Sequence, residues 1–143
     1  MEIAKGVKAS DWHKLDLTGN IKTEWDKSIE IFNKRIEERY IEPIDILIKQ
    51  EENILPNNRK FGFAILALDC MLLETLQSFY EGLTDTKNKS KTIFIKFLTE
   101  RSKFKPYFSE KIGEITIAEK FYSEFRSGIL HQTEIGKGGK IWS

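Results

Sequence analysis

Apolar residues recur at helical spacing along most of this chain, and the runs break at proline, glycine and asparagine. Trp25, Ile29, Phe32, Ile36 and Tyr40 form one stripe of an amphipathic helix, with Lys34, Arg35, Glu38 and Arg39 as a mixed-charge run expected to face water. Pro43 lacks an amide donor and clashes with the preceding turn, so the helix is expected to kink or restart there, with Ile44, Leu47 and Ile48 continuing the stripe. Pro56-Asn57-Asn58 reads as a loop with an asparagine placed to cap the next helix. Arg59 to Glu81 is the most apolar stretch, apolar on nearly every side, and Gly82 is placed to end it in the left-handed conformation. Asp69 and Glu74 inside the run argue against a membrane span, so the pattern predicts a central helix buried in a bundle.

Ile93, Phe94, Phe97 and Leu98 mark a further helix ending near Lys103, and Pro106 opens a short turn through Ile112 that Gly113 closes. Thr116 and Glu119 stand in capping-box spacing, so a last helix starts there and runs to Gln132. Ala118, Tyr122, Phe125 and Ile129, widened by Phe121, give it a core-facing side. The predicted fold is all-α: an antiparallel bundle of four to five helices in one domain spanning 1–143. Residues 1–21 are read as an irregular segment with a turn at Thr18-Gly19-Asn20, and residues 133–143 as a short irregular or hairpin tail.

With 143 residues, 40% of them hydrophobic, the chain suits one soluble domain with its own core. Its 23 basic and 22 acidic side chains leave a formal charge of +1, which argues against a strong non-specific polyanion binder while allowing a local basic patch. Cys70 is the only cysteine, so neither an intrachain disulfide nor a thiolate metal cluster can form, and the N-terminus lacks a signal-like apolar run. A cytoplasmic protein without cofactor or metal, and without membrane association, is expected.

Arg126 and His131 are the one chemistry-grade constellation: a permanent cation and a group that titrates near neutrality. On a regular α-helix they stand roughly 140° apart around the axis and about 7.5 Å apart along it. Acting on one atom therefore needs the reach of the arginine, a bend at Gly128, or a second copy of the helix. Asp69 and Glu74 either lie on an exposed edge or serve the site from behind, one of them orienting Arg126 or His131, because a buried carboxylate without a partner is costly. His13 with Asp11 and Asp16 resembles a metal set only superficially, and the Gly-Lys-Gly-Gly-Lys run after Gln132 lacks the spacing of a phosphate loop. Phe104, Tyr107 and Phe108 are expected at a helix junction rather than under bases; Lys96, Arg101, Lys103 and Lys105 form a weak positive patch.

A helical bundle whose late helix ends in Phe125-Arg126-Ser127-Gly128-Ile129-Leu130-His131-Gln132 resembles the HEPN superfamily, whose signature is an arginine, a polar residue, and a histidine after four to six intervening positions. The resemblance covers residues 22 to 132. It implies a metal-independent RNA endonuclease, of the toxin or phage-defence sort, that uses the ribose 2′-hydroxyl as nucleophile and leaves a 2′,3′-cyclic phosphate. His131 would move the proton, Arg126 would grip the developing phosphorane charge, and Ser127 would hold a phosphate oxygen or the histidine. The resemblance also implies a homodimer with the cleft across its two-fold axis, and an antitoxin partner is compatible with it. Three readings stand: the ribonuclease, a catalytically silent HEPN-like dimeric module binding RNA, nucleotide or protein, and an unrelated helical adaptor in which Arg126 and His131 only complement the helix dipole.

Overall fold

A computed structural model describes residues 1–126. The fold is all-α; the strands among the described residues are confined to two short hairpins. The backbone groups into two compact units, Met1–Lys49 and Gln50–Ser143.

In the first unit the N-terminal segment is irregular only over residues 14–21; residues 2–13 form regular elements. Strands β1 (Glu2–Ala4) and β2 (Val7–Lys8) pair antiparallel through a turn at Gly6, whose φ of +74° suits glycine, and helix α1 (Ala9–His13) comes directly after them. Helix α2 (Lys22–Ile36) passes through a π-helical turn at Glu37–Ile41 directly into α3 (Glu42–Glu51). The kink or restart expected at Pro43 takes the form of this π-helical turn, with α3 starting one residue before the proline. Pro43 would clash with the carbonyl of Arg39, and the widened turn that contains Arg39, closed by the Glu42 amide donating to the Glu37 carbonyl, makes room.

The stripe on α2 forms but is only partly covered: Trp25 is 42% and Ile29 53% exposed, Phe32, Ile36 and Tyr40 are half-buried, and Ser28 is the one buried residue of the helix. The charged side, expected to be solvated, carries tertiary contacts too. Arg35 Nη1 donates to the Ile3 carbonyl at 3.0 Å, and Glu38 accepts from the Lys5 amide at 2.6 Å, fastening the hairpin to the helix by polar bonds.

In the second unit a 3₁₀ turn (Pro56–Asn58) leads to α4 (Gly62–Tyr80). No asparagine caps it. The buried Glu51 carboxylate accepts from the amides of Lys60 and Phe61, both at 2.5 Å, and supplies from a distance what a local cap would. Glu51→Ala should therefore lower stability by about 0.5–2 kcal/mol in urea melts, with Glu51→Gln, which keeps an acceptor, costing less. At the other end Gly82, φ +64°, closes a Schellman motif: its amide donates to Phe79 O at 3.1 Å and that of Leu83 to Ser78 O at 2.9 Å.

By length and composition alone α4 could cross a membrane. Its buried line is Cys70, Glu74, Gln77 and Ser78, while Met71 and Phe79 are exposed, so the expectation of a helix buried all round gives way to one with a small, polar inner face.

Helix α5 (Ser90–Glu100) packs along α4, and the chain continues through α6 (Lys105–Phe108), a hairpin of β3 (Lys111–Ile112) and β4 (Ile115–Thr116) turning at Gly113, and α7 (Ile117–Phe121). Cys70, Phe94, Phe97, Leu98 and Ala118 form the core, with Phe104, Phe108, Phe121 and Tyr122 packed against it. Phe104 and Phe108 thus belong to the helix junction, whereas Tyr107 is exposed.

Candidate functional site

Thr116 opens the last helix with the expected capping box: its hydroxyl accepts from the Glu119 amide at 3.2 Å, and the Glu119 carboxylate accepts from the Thr116 amide at 2.8 Å. That backbone bond, then the threonine hydroxyl, holds the Glu119 carboxyl below the usual glutamate range. Beyond α7 the chain enters a second π-helical turn, Tyr122–Arg126. Relative to an α-helix it inserts one residue, so the face counted from Ala118 at regular spacing does not continue unbroken to Arg126. The turn is anchored by aromatic contacts: Tyr122 edge-on to Phe94 at 5.6 Å and Phe125 stacked on Phe121 at 5.0 Å between centroids.

Anchored this way, Arg126 meets Glu74. Nε donates to Oε1, and Nη2 donates to Oε2 at 3.0 Å, a bidentate pair whose side chains are only 12% and 10% exposed. Ser90 Oγ, from the first residue of α5, donates to the same Oε2 at 2.8 Å. The Tyr122 ring lies 5.7 Å from the guanidinium carbon. Burial works against the arginine's charge as the largest single influence, but the hydrogen bonds and charge of Glu74 outweigh it and hold the guanidinium's pKa above its ordinary value. Among the described residues Nη1 makes no hydrogen bond.

Asp69 is not brought to the arginine. It makes no hydrogen bond or ion pair among the described residues, and partial burial pushes its carboxyl up. Cys70, 1% exposed, has its thiol pushed up to about 12 by burial, which leaves it unreactive. Ser127 and His131 lie outside the described residues, as do Gly128, Ile129, Leu130 and the tail at 133–143.

The other candidates resolve into local structure. Asp11 accepts from the Lys8 amide and pairs with Lys14, and Asp16 accepts from the amide and hydroxyl of Thr18, so neither is directed at His13. Among the described residues no three His, Cys, Asp or Glu side chains converge on a metal position. Lys96 of the basic patch is paired with Glu81 at 3.0 Å.

Sequence reasoning missed Ser90 as a partner of the carboxylate. It stands at the end of a polar loop in the sequence, and nothing in the chain's pattern links that position to Glu74, sixteen residues earlier. Comparison with family models, curated proteins and solved structures finds no match for the chain.

Proposed function

We propose that this chain is a metal-independent endoribonuclease of HEPN type, toxin- or phage-defence-like, that cleaves RNA through the ribose 2′-hydroxyl. The observation that carries the reading is the arrest of Arg126. A cation oriented by a buried carboxylate, one residue before Ser127 and five before His131, is what stabilising a phosphorane requires: charge and donors fixed before the reaction begins. The π-helical turn that delivers it is a rare element that recurs at functional sites. In this mechanism His131 takes the 2′-hydroxyl proton, that oxygen attacks the adjacent phosphorus, and the P–O5′ bond breaks, the 5′-oxygen leaving as a hydroxyl with a proton from water. Arg126 holds the negative charge that builds on the non-bridging oxygens, and Ser127 binds a phosphate oxygen or the histidine. Glu74 takes no part in the bond changes; it positions the guanidinium.

The reading takes α4 as a core helix of a cytoplasmic protein, RNA as the substrate, and a second copy of the chain as completing the cleft near Arg126, Ile129 and Leu130, with an antitoxin as a further partner. Light scattering at roughly tens of micromolar, within the range of ordinary dimer affinities, should give twice the chain mass; a strict monomer speaks against the shared cleft.

One observation favours the silent binding module instead. The Nε and Nη2 edge of Arg126 is already committed to Glu74, and the pair is nearly buried, as in a purely structural ion pair. Incubation with RNA and with DNA in the presence of chelator separates the two. The nuclease cuts RNA and leaves DNA whole; the module binds without cutting either.

A further inference from the structure

A second arginine is held in place farther along the same face of α4. Gln77, one turn beyond Glu74 and 1% exposed, accepts at its Oε1 from Arg101 Nη2 at 2.6 Å and donates to Glu81 at 2.8 Å. The guanidinium carbon of Arg101 lies 3.8 Å from the centroid of the Tyr80 ring. Tyr80 is 72% exposed, so one ring face rests on a cation while most of the side chain is open to solvent. An exposed tyrosine at a helix end ordinarily has no fixed orientation; here the guanidinium, tied to a buried amide, sets the plane of the ring in advance. The polar groups tied to this corner are two cations, Arg101 and Lys96, and one carboxylate, Glu81, with which Lys96 is paired at 3.0 Å; Lys103 and Lys105 follow Arg101 in the chain.

We infer that Tyr80, backed by Arg101, is a stacking platform for a base of a single-stranded nucleic acid. A flat π face with basic side chains around it is the pattern by which single strands are held without sequence readout. Tyr80 is six residues beyond Glu74, about 9 Å along the helix axis and roughly 120° around it, so the base it holds lies outside the reacting linkage. The inference rests on the reading of this chain as an RNA-handling protein, and it adds the subsite that would hold the substrate strand.

The probe is a fluorescent single-stranded oligodeoxythymidine, which has no 2′-hydroxyl and stays whole, monitored by anisotropy. Tyr80→Ala should weaken its binding about five- to 150-fold, and Tyr80→Trp, which keeps a stacking face, should preserve it. As Tyr80 is exposed, neither change threatens the core. With RNA, the Tyr80→Ala loss should fall on KM rather than kcat. Failure of the parent protein to bind the oligonucleotide, or equal binding by Tyr80→Ala, overturns the platform. Tyr80-dependent binding without any RNA cleavage would uphold the platform and count against the nuclease; cleavage indifferent to Tyr80 would do the reverse.

Discussion

Replacing His131 with alanine is expected to slow RNA cleavage by about two to four orders of magnitude, the contribution of a well-placed proton-transfer group. The fold should not suffer, because a residue expected near a helix end is not one of the core positions whose truncation costs most. Single-turnover rates at saturating RNA, beside a thermal melt of the same sample, check both parts. Parent-like cleavage by the His131→Ala protein would mean that the histidine is not the base, or that a contaminating nuclease does the cutting.

Arg126 calls for a different experiment, since truncating it harms more than chemistry. Removing one partner of a buried ion pair leaves the other charge uncompensated, so Arg126→Ala and Glu74→Ala should each cost about 3–5 kcal/mol in urea denaturation, and loss of activity in either would prove little. A double change to apolar residues of similar volume, Glu74→Leu with Arg126→Met, removes both charges together and should leave stability near or above that of the parent. If Arg126 binds the phosphorane, this well-folded double variant is inactive; if the pair only braces the core, it cuts RNA as before. Arg126→Lys should also stay inactive, because an ammonium keeps the charge and loses the fork that engages Glu74 on one edge.

The features legible in the sequence are those that local chemistry dictates. The Thr116–Glu119 capping box and the Gly82 terminus depend on residues within a turn of each other, and both form as the sequence predicts. The pairing of Glu74 with a cation was within reach because a carboxylate inside an apolar run needs an answer; that it would be Glu74 and not Asp69 depended on which side of α4 faces the π-helical turn, and an apolar run on all sides carries no such signal. The stripe of Trp25 and Ile29 stays exposed against expectation, since periodicity defines a face without saying what covers it. Pro43 marked the right place for a kink or restart, but not the form it takes, a widened turn ahead of the proline. Glu51 capping α4 and Arg101 bracing Tyr80 are contacts across loops of the fold, invisible to any spacing rule.

The central claim, cleavage through the 2′-hydroxyl without metal, is tested most directly by the ends of the products. RNA incubated with the purified protein in excess chelator should yield fragments ending in 2′,3′-cyclic phosphate, opposite 5′-hydroxyl ends, and the His131→Ala protein should yield almost none. Intact RNA across several substrates, cleavage that stops when chelator is added, or products carrying 5′-phosphates would contradict it.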